Sequence, residues 1–131
     1  MKVLDTDACV LLLRGTPGVL ARRLAEPGPA VTTWTTAAEL FCGAAKSKAP
    51  AHNRALVTEF LSTLPVLGLD AASAALLGEF KVLLERRGEQ LEDADLLMAA
   101  VAAVHGADVV TGNRRHPGRI PGVSVEDWIG G

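Results

Sequence analysis

The residues best equipped for chemistry are five carboxylates: Asp5, Asp7, Glu39, Asp93 and Asp95. Asp5 and Asp7 flank Thr6 directly after the apolar pair Val3-Leu4. Glu39 follows Thr35-Thr36-Ala37-Ala38, and Asp93 and Asp95 open the stretch Glu92 to Gly106. Within that stretch Leu96 to Val104 are nine consecutive apolar residues. A helix without a polar face belongs in an interior, yet this one carries two acids in its first turn, where an unpaired charge is costly. Two explanations stand. The acids cap the helix and complement its dipole, or they hold a metal ion. Asp5 and Asp7 are equally suited to capping, and Thr36-x-x-Glu39 fits a capping box.

The elements that must position these residues read as alternating strands and helices. Val3-Leu4, Ala30 to Thr33, Pro65 to Leu69 and Asp108 to Thr111 are short apolar strands, with Val123 to Val125 a fifth candidate. Helices are expected over 8–14, 17–25, about 35–47, 50–64, 71–87 and from Glu92 or Asp93 to the stop at Gly106. Strands alternating with helices imply parallel β-α-β units, hence one α/β domain over 1–131 with an open sheet covered on both faces. Ligands in such sheets sit at the carboxyl ends of the strands, near the point where strand order reverses. Asp5 and Asp7 leave one strand there, Glu39 starts the helix after another, and Asn113 lies just past the 108–111 strand. Asp93 and Asp95 reach that rim only if residues 71–87 run back up towards it.

Capping explains each acid singly but not why acids from three segments meet at one rim. Converging carboxylates without basic partners repel one another unless a cation is present. Oxygen-only donors on a rim suit Mg²⁺ or Mn²⁺. Such ions activate water and clamp a phosphoryl group, which is the chemistry of phosphodiester hydrolysis.

Composition is compatible with this. The net charge is −2, but setting the five acids aside leaves ten acids against thirteen Lys and Arg. That remainder tolerates a phosphate-bearing substrate. Aromatic residues are only 4% of the chain, which argues against a surface built on base stacking. Phosphate loops of the GxxxxGK or GxGxxG type are absent, His52, His105 and His116 are scattered, and no Ser or Cys has a nucleophile context. Cys9 and Cys42 lack metal spacing and read as small core residues. No apolar run approaches the ~18 residues of a membrane span, and the N-terminus has no signal-peptide pattern. The expected location is the cytoplasm.

The ordered motifs Leu4-Asp5-Thr6-Asp7, Thr36 to Ala44, Asp95 to Ala100 and Gly106 to Asn113 make the chain resemble a PIN-domain ribonuclease of the VapC toxin type over nearly its whole length. The tail Arg119 to Val123 with Glu126-Asp127-Trp128 adds to the likeness. The resemblance implies a three-layer α/β/α sandwich with a parallel sheet of four to five strands and an acidic, Mg²⁺- or Mn²⁺-dependent ribonuclease site. By carry-over, Asp5, Glu39 and Asp95 are its catalytic carboxylates and metal ligands, and Asn113 takes a fourth position that is commonly Asp. Asp7 stands where Asn is usual, Asp93 is an extra neighbouring acid, and Thr6 and Thr111 orient the acids. Pro117 replaces a frequent aromatic. The implied partners are an antitoxin that wraps the toxin, RNA, and a second copy in a homodimer. Arg14, Lys46, Lys48, Arg114, Arg115 and Arg119 are candidate RNA contacts. A non-catalytic PIN-like module that binds protein or RNA is the alternative, suggested by the neutral Asn113. A phosphomonoesterase is a third reading; Asp5-Thr6-Asp7 is similar to the nucleophile motif of haloacid-dehalogenase-like phosphatases, whose other acids and lysine have no convincing counterpart here.

Overall fold

The structure, a computed structural model, describes residues 1–111 and 120–129. Five parallel strands form one sheet in the order β3-β2-β1-β4-β5. They are β1 (Lys2–Leu4), β2 (Ala30–Thr33), β3 (Val66–Leu67), β4 (Asp108–Val110) and β5 (Val125–Glu126). The helices are α1 (Thr6–Leu13), α2 (Pro17–Ala25), α3 (Trp34–Lys46), α4 (Pro50–Leu61), α5 (Ala71–Arg86) and α6 (Asp93–Val104).

Alternation along the strands separates the two faces of the sheet. Leu4, Ala30 and Val110 point to one side, where they pack with Ala8, Cys9, Val19, Leu40, Val57 and Trp128 from α1 to α4 and the C-terminal tail. Val3, Val31 and Val109 point to the other side, against Met98 and Ala102 of α6. Phe80 and Leu84 of α5 then cover Leu96, Ala99 and Ala100. The molecule is therefore the expected α/β/α sandwich. The apolar run of α6 is explained by this double burial: Leu96 and Met98 to Ala102 are all buried, between sheet and α5.

From β1 the chain steps outward to β2 and β3, then returns across the sheet to β4. Strand order thus reverses between β1 and β4, whose carboxyl ends carry Asp5 and Thr111. The α5–α6 pair resolves how Asp95 reaches that rim. Asp70 at the start of α5 lies in the field of His105 at the end of α6, and Lys81 late in α5 contacts Asp93 at the start of α6. The two helices are antiparallel, α5 rising and α6 descending, so α6 begins at the carboxyl rim and feeds β4 from below. Gly88 (φ 68°) and Gly106 (φ 63°) supply the left-handed turns that end the two helices.

Several boundaries differ from the sequence reading. Helix α1 begins at Thr6, because Asp5 itself is the cap. β3 has two residues where five were expected, and β5 is Val125–Glu126, shifted towards the C-terminus from 123–125. Cys9 is buried as expected, whereas Cys42 is exposed on α3. Burial pushes the Cys9 thiol up to about 12, leaving it a neutral donor to Thr32 Oγ1 at 3.8 Å.

β5 and the tail are fastened by ion pairs. Lys2 Nζ lies 2.7 Å from Asp108 Oδ2 and 2.5 Å from Glu126 Oε2. Glu126 Oε1 also accepts from Arg22 at 3.0 Å and from Trp128 Nε1 at 2.8 Å. One carboxylate thereby links β1, α2, β5 and Trp128.

Candidate active site

Three loops end at the carboxyl rim of the sheet, and their carboxylates line one cleft of about 190 Å³. Asp5 and Asp7 come from the β1–α1 junction, Glu39 from α3, and Glu92 and Asp95 from the start of α6. Thr6, Thr35, Thr36 and Thr111 complete its polar wall and Ala94 and Met98 the apolar part, and among the described residues no Lys or Arg lines it.

Asp5 is the most constrained acid. Its Oδ1 accepts the Ala8 N–H at 2.8 Å, closing the N-terminus of α1, and its carboxylate also accepts from the Thr111 hydroxyl. Capping and a place in the site are thus compatible. Burial raises the Asp5 pKa to about 6, with the charges of Asp7 and Asp95 adding to the rise and the bonds from Thr111 and Ala8 opposing it. A carboxyl that is expensive to ionise and faces two further acids attracts either a proton or a cation.

Glu39 is not in a capping box. The cap of α3 is Thr33, whose hydroxyl accepts the Thr36 N–H at 3.3 Å, so Glu39 is left in the second turn and exposed. It accepts from Thr6 Oγ1 at 2.7 Å, and Thr6 Oγ1 lies 3.4 Å from Thr36 Oγ1. Thr6 on α1 therefore fixes a carboxylate on α3. Asp95 and Asp5 are near enough to feel each other's charge, which joins α6 to the β1 end.

Asp93 departs from its expected place. The cap of α6 is Glu92, with no side-chain capping bond. Asp93 is the first helical residue, its side chain 80% exposed and 3.3 Å from Lys81 Nζ. Two residues on a helix are about 200° apart, so Asp93 and Asp95 cannot face the same cleft. Glu92, the cap residue with extended backbone, is among the residues lining it instead.

Two of the basic candidates stand at helix ends. Arg14 closes α1 and Lys46 ends α3, and both helices start at the rim and run away from it. Arg14 nevertheless lines a neighbouring pocket together with Glu39, and Lys46 begins about 10 Å along α3 from Glu39 at ~1.5 Å per residue. Lys48 is exposed between α3 and α4. Asn113, Arg114, Arg115 and Arg119 lie outside the described residues.

Among the described residues no three of His, Cys, Asp or Glu are drawn together tightly enough to cage one ion. The donor set nevertheless fits Mg²⁺ or Mn²⁺. Such ions keep several waters and take only one or two carboxylates from protein, and the cleft holds several waters at ~30 Å³ each. Every donor in it is oxygen.

A family model described as "PIN domain" matches residues 2–120. Among curated proteins, the tRNA(fMet)-specific endonuclease VapC of Salmonella typhimurium is 35% identical over 127 residues, 96% of each chain. A ribonuclease VapC of Haemophilus influenzae is 31% identical over 128 residues, 97% of each. Among solved structures, DNA-bound VapBC from Salmonella typhimurium superposes with a TM-score of 0.89 at 35% identity, covering 98% of both chains. VapBC2 from Rickettsia felis, bound to a promoter DNA fragment, gives 0.86 at 30% identity and the same coverage.

Proposed function

The chain belongs to the PIN-domain family, and from that premise we propose that it is a divalent-metal-dependent endoribonuclease. We place it as the toxin of a toxin–antitoxin pair, held inactive by a cognate antitoxin. The observation that carries the reading is the cleft at the β1/β4 reversal point, where acids from three segments meet. The named relatives are ribonucleases, and the superposed structures are VapBC assemblies.

In this reading Asp5, Glu39 and Asp95 hold Mg²⁺ or Mn²⁺, with Asn113 supplying a neutral amide oxygen. The bound ion supplies a water of lowered pKa and neutralises charge on the scissile phosphate. The protein's own part is positioning. Thr111 and the Ala8 amide hold the Asp5 carboxylate, Thr6 holds Glu39, and the buried body of α6 keeps Asp95 in place. Asp7 adds negative charge beside Asp5. The acids lining the cleft repel RNA phosphate until a cation offsets them, so metal and substrate binding are coupled. The same charge suits inhibition by a basic residue of the antitoxin.

Induction of the chain in a bacterial host tests the toxin reading. Growth arrest that is relieved by co-expressing the product of the neighbouring reading frame supports it, as does the appearance of new RNA 5′ ends. Undisturbed growth and an unchanged pattern of RNA ends, with soluble protein present, contradict it. The neutral Asn113, at a position the family commonly fills with Asp, is what favours the second reading, a non-catalytic binding module. Calorimetric titration separates the two, because the module requires no Mg²⁺ or Mn²⁺ binding in the millimolar range.

A further inference from the structure

The chain has two tryptophans, and they stand in opposite surroundings. Trp128 is 4% exposed and its Nε1 donates to Glu126 Oε1 at 2.8 Å. Trp34 is 60% exposed. Burying an aromatic of this size removes on the order of 150–250 Å² from water, so leaving most of the ring in solvent forfeits stabilisation that folding alone would favour. The fold gives this exposure a place beside the site. Trp34 is the first residue of α3, directly after Thr33 ends β2, and the next two residues, Thr35 and Thr36, line the acidic cleft. Among the described residues, Trp34 is the only exposed large apolar side chain adjoining a cleft-lining residue in sequence.

The sheet fixes where it stands. The β1–β2 register, Lys2 with Ala30 and Val3 with Val31, continues so as to set Asp5 opposite Thr33. Trp34 is then one strand over and one residue on from Asp5, roughly 6 Å away between backbones at ~4.8 Å per strand and ~3.3 Å per residue. On its other side Thr33 pairs with Leu67 of β3, which brings Gly68 beside Trp34. A β-carbon on Gly68 would lie 3.4 Å from Trp34 Cδ1. The edge of the five-membered ring is thus seated against a residue without a side chain, on the flank of the cleft towards β3. An RNA whose phosphate occupies the cleft leaves it over one of the sheet's flanks, β2–β3 or β4–β5. On the first flank its bases meet an open aromatic ring.

Single-stranded nucleic acid is held in this way, by contacts to the backbone and by stacking of splayed bases on aromatic side chains. The scarcity of aromatics excludes a platform for several bases, not a single ring for one. A standard protein interface takes ~800 Å² from each partner, whereas the open part of the indole is roughly 100–150 Å², which matches one stacked base better than a protein surface.

We propose that Trp34 is a substrate-binding residue of the ribonuclease site, its indole stacking a base of single-stranded RNA next to the phosphate held in the cleft. The inference rests on the endoribonuclease reading and extends it to a residue outside the acidic set.

Steady-state cleavage of a single-stranded RNA by the antitoxin-free protein with Mn²⁺ tests it. Trp34→Ala should raise KM roughly tenfold, within the range for loss of one stacked base. kcat should change little, since an interaction shared by ground and transition states acts on KM alone. Trp34→Phe keeps a ring and should restore most of the affinity. Mixing the parent with RNA, read before cleavage proceeds, should quench tryptophan fluorescence, and Trp34→Phe, which retains Trp128, should lose that quenching. An unchanged KM in Trp34→Ala overturns the proposal. So does a KM rise accompanied by a change of oligomeric state in sedimentation velocity, which assigns the indole to a contact between copies of the chain. A loss confined to binding of the neighbouring reading frame's product overturns it as well, assigning the ring to a protein partner. If the parent cleaves no RNA, the endoribonuclease reading fails and the proposal with it, a result distinct from a parent and a variant that cleave alike.

Discussion

Replacing Asp5 by Asn should make the metal-free protein more stable at neutral pH while removing its function. Burial, reinforced by Asp7 and Asp95, raises the Asp5 pKa from 3.8 to about 6. A group whose folded pKa lies above its unfolded value contributes stability that is fully present below the unfolded pKa. That contribution is lost as pH rises through the folded one. Relative to a neutral side chain, the parent therefore loses stability between pH ~4 and ~7. The shift of about two units corresponds to at most ~3 kcal/mol at ~1.4 kcal/mol per unit. Hydration of the partly open cleft reduces this, so about 2 kcal/mol is the working figure. Asparagine is as good a cap as aspartate and keeps an oxygen for the Ala8 amide, so little is lost at α1. Urea denaturation in EDTA at pH 7.5 and at pH 4 is the assay. The variant should exceed the parent by ~1–3 kcal/mol at pH 7.5 and match it at pH 4. Adding Mn²⁺ at pH 7.5 should stabilise the parent and not the variant, because ligand binding stabilises only the state that binds. A variant less stable than the parent at pH 7.5, without metal, would refute the claim that this carboxylate is held at a cost for binding.

Further outcomes follow from the same geometry. Thr6→Val deletes the hydroxyl that holds Glu39; a bond of this exposed, charge-assisted kind is worth about 1 kcal/mol, so steady-state cleavage should fall roughly fivefold with little change in melting temperature. Asp93→Asn breaks only an exposed pair with Lys81 and should change stability by less than ~0.5 kcal/mol, with cleavage unaffected. Glu126→Gln should destabilise by ~1–2 kcal/mol, the difference between charge-assisted and neutral bonds to Lys2, Arg22 and Trp128. Hydrogen bonds from Lys2 first, then Trp128, hold the Glu126 pKa down at about 2 against the ordinary 4.5. Its contribution is therefore present above pH ~4.5 and disappears as pH falls through ~2. Thermal melts of parent and variant should differ at pH 7 and converge in that acid window.

The architecture was legible because each long element announces itself. The 3,4,7 spacing of α4, the unbroken apolar run of α6 and the glycines after α5 and α6 are local signals of helix body and helix end. Strands β1, β2 and β4 are short but carry bounded apolar pairs, Val3-Leu4, Ala30-Val31 and Val109-Val110. β3 and β5 are two residues each, too short for alternation to register, and only pairing with β2 and β4 defines them. The cap of α3 was obscured by four threonines in a row of five, Thr32, Thr33, Thr35 and Thr36. Which one caps depends on β2 continuing to Thr33, a tertiary fact. At the site, Asp5, Glu39 and Asp95 were placed at the rim by sheet topology. Helical periodicity alone would have separated Asp93 from Asp95. For the basic residues helix direction had to come from the structure: α1 and α3 begin at the rim, and Arg14 at the end of α1 still shares a pocket with Glu39.

An RNA cleavage assay with purified, antitoxin-free protein bears most heavily on this view of the molecule. Parent protein, Asp5→Ala and Asp95→Ala are incubated with the same RNA in EDTA, and then with Mg²⁺ or Mn²⁺ restored. The prediction is cleavage by the parent only when metal is present, and by neither variant in any condition. Undiminished cleavage by Asp5→Ala or Asp95→Ala, or cleavage by the parent in EDTA, would contradict it.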